Sequence, residues 1–273
     1  MDNYMISSST ELYGVFGDPV SHSLSPVMHN AAFAHIGYDA AYLAFQIKDI
    51  RAGVNAIRAL GIKGVSITIP HKVSVMECLD EIDEMAQNIG AVNTIINQNG
   101  KLKGCNSDWL GAISALKEKT GISGKTVAII GAGGAARAIG FGIKKENGRV
   151  SIVNRSSDKG EKLAQDIGAE FCPLSEITTL KYDILINTTP LGMTPNIDTT
   201  PISGEVIRSQ TVVMDIVYNP LKTRLLKEAE ENGCTVIDGL AMFVYQGVFQ
   251  FELWTGKTAP VEVMRKTVRG KLR

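Results

Sequence analysis

The sequence predicts an α/β fold with largely parallel sheets. Three observations carry that expectation. Short β-rich runs alternate with longer amphipathic stretches along the whole chain. A strand, a glycine-rich loop and a helix follow one another in TVAIIGAGGAARA, from Thr126. And 273 residues, 44% hydrophobic and 21% charged, are enough for one large or two modest domains of ordinary soluble composition. The 28 Lys and Arg balance 28 Asp and Glu, which speaks against a nucleic-acid or membrane-surface protein, since both usually carry a basic excess.

The first strand reads Leu12–Phe16, and a helix follows over Pro26–Ile36. The spacing then predicts strands at Ala41–Phe45 and Val65–Ile69 with a helix over Ile50–Leu60 between them. A β-hairpin is expected between Asn93 and Asp108, and a helix from Trp109 to Lys119. The character changes near Gly121–Lys125, a turn-rich segment after which a fresh βαβ unit starts. Its strands are Val127–Ile130, Val150–Val153, Ile184–Ile186 and Val212–Asp215, alternating with helices at Ala135–Lys145, Lys159–Ile167 and Thr223–Asn232. The apolar helix Leu240–Thr255 is expected to cross back, making the first domain discontinuous.

Gly131-Ala132-Gly133-Gly134-Ala135-Ala136 fits GxGxxG/A in the required setting. The first Gly permits the tight turn, the second lets backbone approach a pyrophosphate, and Ala136 lets helix and strand pack closely. The helix N-terminus offers N–H groups and a positive dipole end to phosphate. A glycine turn that binds nothing would spell the same letters, but not between a buried strand and a helix. At the end of the next strand, where an NAD enzyme carries an acid roughly 20 positions on, the chain reads Asn154-Arg155-Ser156-Ser157. An isolated loop Arg is usually solvated; here Arg155 is placed to pair bidentately with a 2′-phosphate, which favours NADP.

Three segments of high polar density lie between apolar strands. In Gly17–Pro26, Ser25 before Pro26 reads as a helix N-cap, while Ser23 and Ser25 together also suit a carboxylate. In Gly64–Lys72 a strand ends at Pro70 and delivers Lys72 at its C-terminal edge, where ligands of open α/β sheets gather. The third runs from Gly90-Ala91-Val92-Asn93-Thr94 to Gly104–Gly111 and puts Asn93 and Asp108 at the ends of the hairpin.

With the later segments NTTPLGM from Asn187, DIVYNP from Asp215, Asp238-Gly239-Leu240, Tyr245-Gln246-Gly247 and Trp254-Thr255-Gly256, these motifs resemble the shikimate dehydrogenase family over nearly the whole chain. Two departures are mild: Ser66 stands where Asn is common, and Ser107 where Thr is usual. The resemblance implies a discontinuous α/β substrate domain, residues 1–107 and 240–273, a Rossmann-like NADP-binding domain, residues 108–239, and an active site in the cleft between them. It implies Lys72 and Asp108 as the catalytic pair, and substrate at Ser23, Ser25, Thr68, Asn93, Tyr218 and Gln246. NADP would lie on Gly131, Ala132, Gly133, Gly134 and Ala135 and on Asn154, Arg155 and Lys159, with Thr188, Met193 and Gly239 near the nicotinamide. The implied reaction reduces 3-dehydroshikimate to shikimate with NADPH. A quinate/shikimate dehydrogenase of broader choice and an idle NADP-binding regulator are the competing readings; retention of both Lys72 and Asp108 speaks against the second.

His22, His29, His35 and His71 show no metal-ligand spacing, and core or capping roles are expected for them. The cysteines, Cys78, Cys105, Cys172 and Cys234, form no CxxC pair, so no zinc site or disulfide framework is expected. Residues 1–10 lack the basic start and apolar core of a signal peptide, and no apolar run reaches membrane length, so a cytoplasmic enzyme is expected, monomer or homodimer alike.

Overall fold

The computed structural model describes residues 6–272; the first five residues of the N-terminal segment read above, and Arg273, lie outside them. The chain forms two compact units, one built from the residues up to Ser107 together with Gln246–Lys271, the other from Asp108–Tyr245.

In the first unit, β1 (Glu11–Gly17), α1 (Ser25–Ile36), β2 (Ala40–Gln46), α2 (Ile50–Ala59) and β3 (Gly64–Ile67) follow as βαβαβ. Then come β4 (Glu81–Ile82), α3 (Glu84–Ile89), β5 (Thr94–Gln98) and β6 (Lys101–Cys105). The sheet order is β2-β1-β3-β5-β6-β4. It is mixed: β1 pairs β2 and β3 parallel and β4 pairs β6 parallel, in keeping with the largely parallel sheets expected, whereas β5 runs antiparallel to both β3 and β6. The β5–β6 hairpin closes through Asn99-Gly100, with φ of 54° and 93°, the left-handed pair that a tight two-residue hairpin needs. A core of Phe16, Val54, Ile57, Val65, Ile67, Val92, Ile95 and Leu102 lies under this sheet. His29 is fully buried, stacked on Tyr42 at 4.5 Å and 8°; burial pushes its imidazole down to about 3, so it is neutral. Gln250 lies close enough to oppose that shift slightly, but neither ring nitrogen has a hydrogen-bond partner.

The second unit opens with α4 (Asp108–Lys117). There follow β7 (Thr126–Ile130), α5 (Gly134–Lys145), β8 (Arg149–Asn154), α6 (Ser157–Ile167), β9 (Glu170–Pro173), β10 (Ile184–Asn187), β11 (Val212–Asp215), α7 (Arg224–Glu231) and β12 (Thr235–Ile237). All six strands are parallel, in the order β9-β8-β7-β10-β11-β12. This is the doubly wound dinucleotide-binding order, and the winding reverses between β7 and β10. Apolar residues cover both faces, Ile129, Ile152, Ile186 and Met214 on one and Ala128, Val153, Leu185 and Val213 on the other. Trp109 packs against the first of these cores, with the Lys145 ammonium 4.9 Å from its ring centroid.

The chain closes with α8 (Gly239–Thr255) and α9 (Val261–Lys271), and the division between units falls inside α8, between Tyr245 and Gln246. Beyond it, Trp254 donates its indole N–H to the Ile95 carbonyl at 3.0 Å, and a Cβ added to Gly64 would stand 2.3 Å from that same indole nitrogen. No helix among the described residues is long and apolar enough to cross a membrane.

Asp215 ends β11 fully buried and accepts hydrogen bonds from Asn187 Nδ2 at 3.0 Å, Val217 N at 3.0 Å and Thr223 Oγ1 at 2.7 Å. Thr223 in turn caps α7. Burial outweighs these donors and pushes the carboxyl up to about 6. The folded state therefore holds the proton more tightly than the unfolded one, and the associated stability, complete below about pH 4, is lost as pH rises through 6. Asp215→Asn does not titrate. Compared at each pH by chemical denaturation, the variant should gain about 2–3 kcal/mol on wild type between about pH 4 and 7; a constant difference would contradict this account.

Candidate active site

In the first unit the polar segments converge on one sheet edge, because the strand directions demand it. β1 and β3 run parallel and end there, while β5 runs antiparallel and starts there. Thr68 N donates to Phe16 O at 2.9 Å and Ile67 N to Asn93 O at 2.8 Å, so the loops carrying Ser23, Thr68 and Asn93 leave the sheet side by side. Ser25 is not the helix cap. Leu24 occupies that position, Ser25 begins α1, and Ser23 Oγ accepts from Ser25 N at 3.3 Å. The pattern misleads because the residue at the cap is set by backbone angles, and Leu24 supplies no side-chain oxygen.

Strand β3 ends at Ile67, before Pro70, so Lys72 sits in a following turn rather than on the strand. That turn is pinned at three points. Lys72 O accepts from Val92 N at 2.8 Å, His71 O accepts from Val75 N at 3.0 Å, and the buried His71 ring hydrogen-bonds the Ile47 carbonyl through Nε2, which must then carry the proton. Asn93 is buried and its Oδ1 accepts from Ser107 N at 2.7 Å. Gln246 lies on α8 one turn before Gln250 and shares its face. Sequence reading passed over Gln250, and its one signal there was a polar residue between Phe249 and Phe251.

In the second unit the C-terminal ends of β7, β8, β10 and β11 share an edge at the winding reversal. Gly131 has φ of 117°, and a Cβ there would stand 2.4 Å from Thr188 Oγ1, which donates to Ile130 O at 2.7 Å. Gly131 is thus required by the protein itself. Gly133 and Gly134 are not, since an added Cβ meets nothing within 4 Å at either. Glycine there keeps open a space that the chain does not fill. Helix α5 begins on this space, without a side-chain cap or an acid in its first turn. Its leading N–H groups and dipole suit an anion, and the backbone around Ala132 and Ala135 fits a dinucleotide pyrophosphate.

Asn154 Nδ2 bonds Ser156 O at 2.9 Å and closes the turn on which Arg155 is exposed; Lys159 is exposed in the first turn of α6. Met193, 47% exposed, lies in the loop after β10. Thr194 N donates to Asn219 O at 3.0 Å, tying that loop to the one bearing Tyr218. Tyr218 packs on Phe243 with ring centroids 5.0 Å apart, and burial pushes its phenol up. Gly239 starts α8 so close to the 216–217 backbone that an added Cβ would stand 2.3 Å from Ile216 O. Asp108 lies half-buried in the first turn of α4, directly after Ser107. Among the described residues no group of three or more His, Cys, Asp or Glu could hold a metal ion, and all four cysteines are unbridged.

Three family models match in chain order: the shikimate dehydrogenase substrate binding domain over residues 15–95, shikimate / quinate 5-dehydrogenase over 114–220, and the shikimate 5'-dehydrogenase C-terminal domain over 239–269. Shikimate dehydrogenase (NADP(+)) of Methanococcus maripaludis is 45% identical over 283 residues, covering 98% of this chain and all of that one. The Geobacillus kaustophilus enzyme of the same name is 46% identical, covering 96% of this chain and 99% of its own. A crystal structure of shikimate dehydrogenase in complex with NADP+ superposes with a TM-score of 0.95 at 43% identity, covering 98% of both chains. With the glycine-lined helix start, the reversal in strand order and these matches in agreement, the chain belongs to the shikimate dehydrogenase family.

Proposed function

We propose that the protein catalyses the reversible reduction of 3-dehydroshikimate to shikimate with NADPH, in the biosynthesis of aromatic amino acids. The observation that carries this reading is near full-length identity of 45–46% with enzymes named for that reaction and cofactor, in a chain that keeps Lys72, Asp108 and the open glycine space at α5. The first unit binds the ring acid through Ser23, Ser25, Thr68, Asn93 and Gln246, and Tyr218 is a further substrate residue. The second holds the dinucleotide on Gly131–Ala135, Asn154, Arg155 and Lys159, with Thr188, Met193 and Gly239 toward the nicotinamide. The protein acts in the cytoplasm, as a monomer or homodimer.

The dinucleotide, when bound, supplies the hydride. The chain must orient the carbonyl carbon, stabilise the oxygen as it gains charge, and deliver the proton. Lys72 does the last two: its ammonium faces the carbonyl oxygen and gives it a proton as the C–H bond forms. Asp108 holds Lys72 and the substrate hydroxyl in register. In the oxidative direction Lys72 takes that proton back. The overall balance is 3-dehydroshikimate plus NADPH plus a proton against shikimate plus NADP+.

Four rates test the function, shikimate and quinate each with NADP and NAD. Shikimate with NADP should be fastest; quinate at a comparable rate would establish the broader dehydrogenase, and four null rates a non-catalytic binder. Removal of a bidentate charged contact to phosphate costs on the order of 1.5–3 kcal/mol, so Arg155→Ala should raise KM for NADP at least about tenfold and leave NAD use nearly unchanged; equal loss with both would sink the assignment. Acid–base assistance is worth roughly 10²–10⁴-fold. Lys72→Ala and Asp108→Asn should each lose kcat by that order with NADP binding intact, and the double variant little more, because residues that act as a unit are not additive. A Lys72→Met variant with raised KM but kcat within a fewfold of wild type would show a residue that binds and does not catalyse.

A further inference from the structure

Behind the proposed substrate face of the first unit lies a continuous chain of buried hydrogen bonds whose polarity can be worked out. Tyr42 Oη donates to Ser66 Oγ at 2.7 Å, and Ser66 Oγ donates to Gln250 Oε1 at 2.9 Å. Gln250 Nε2 donates to Thr94 Oγ1 at 2.9 Å and to the Asn93 carbonyl at 3.3 Å. Thr94 Oγ1 donates to Asn93 Oδ1 at 2.7 Å. Tyr42, Ser66, Asn93, Thr94, Ser107 and Gln250 are all buried.

Two backbone groups fix the amide orientations of Gln250 and Asn93, and with them the direction of the bonds that join them. A carbonyl only accepts, so the Gln250 end facing Asn93 O must be Nε2, and the end facing Ser66 must be Oε1. Ser66 therefore spends its single proton on Gln250. The Tyr42 phenol, held protonated by burial, takes one Ser66 lone pair. At the other end Ser107 N only donates, at 2.7 Å, so the Asn93 oxygen facing it is Oδ1. Thr94 receives from Gln250 and has two acceptors for its own proton, that same oxygen at 2.7 Å and the more distant Ser107 Oγ at 3.2 Å; the shorter bond goes to Asn93. Residue 66 is left with acceptor capacity alone, whereas Asn93, its oxygen taken by two donors and one amide N–H already given to Ser107 Oγ at 3.1 Å, meets a ligand as a donor. Gln250 is the joint: its one amide sets the polarity at both positions.

We propose that Gln250 is a positioning residue for substrate, holding Ser66 as an acceptor and Asn93 as a donor, the complementary pair that a single alcohol group satisfies by donating to one and accepting from the other. The inference rests on the proposed role of Asn93 in binding the ring acid.

Gln250→Leu removes both amide ends at similar volume, frees the Ser66 proton and releases Thr94. The KM for shikimate should rise about tenfold, with KM for NADP and kcat within about twofold, in a variant that melts lower than wild type but stays folded at the assay temperature. Gln250→Glu keeps the shape and reverses one end. As a carboxylate it accepts from both Ser66 and Thr94 and draws the Thr94 proton away from Asn93; protonated, it donates again. Burial raises the pKa of such a carboxyl into the assay range, so shikimate KM for this variant should fall toward wild type as pH is lowered, a rescue that loosened packing would not produce.

The proposal is overturned if shikimate KM for Gln250→Leu stays within twofold while Asn93→Ala raises it. Parallel rises in KM for shikimate and NADP, or a pH-independent shikimate KM for Gln250→Glu, overturn it too. If Asn93→Ala leaves shikimate KM unchanged, the substrate placement itself fails and takes the inference with it, a result separable from a failure of Gln250 alone.

Discussion

A strand that ends inside a protein exposes polar groups that must be paired, and both units are organised around that requirement. In the second, Asn187 and Asp215 end neighbouring strands and bond each other, and Thr223, the cap of α7, completes the set. In the first, Gln250 of α8 closes the ends of β3 and β5. Each helix is thus docked by specific polar contacts as well as by apolar burial, which is non-directional and would tolerate a slip. A slip of either helix would misplace loops that carry proposed ligand contacts. The same closures that satisfy the strand ends hold the functional edge of each sheet in register.

The two edges do different work with the same geometry. That of the second unit is built for a general anion: bare backbone, a helix N-terminus and glycines at 133 and 134 that the chain does not need for its own packing. The exposed Arg155, proposed above to select the 2′-phosphate, follows β8. That of the first unit is built from side chains whose hydrogen-bonding capacity is largely spent on one another, which suits it to one particular pattern of donors and acceptors. A cofactor shared by many enzymes suits the first design and a single small substrate the second.

The glycine loop, the alternation of strands and helices, and the apolar helix α8 were legible because each depends on local pattern: a buried strand, a φ that only glycine takes comfortably, a continuous apolar run. Elements of weak pattern were not. The short β4, the single-turn-scale α3 and the amphipathic α9 carry too few apolar residues to stand out. The mixed first sheet was half legible: the hairpin was expected, but antiparallel pairing of β5 with β3 depends on contacts some thirty residues apart. At the site, motif residues could be named by resemblance, yet the cap at Leu24 required backbone angles, and Gln250 acquires meaning from partners at Ser66, Asn93 and Thr94, more than 150 positions away.

The two tryptophans of the chain stand one in each unit and in opposite surroundings. Trp254 is hydrogen-bonded through its indole N–H within an aromatic cluster with Tyr13, His29 and Tyr42, while Trp109 carries a lysine ammonium over its ring. A charge beside an indole shifts its emission, whereas an indole bonded to a carbonyl among other rings lies in a different field, so the two differ in their fluorescence surroundings. The molecule therefore carries a built-in optical label for each half: with one tryptophan replaced by phenylalanine at a time, the melting of either unit, or the arrival of ligand at either, can be followed separately in the intact chain.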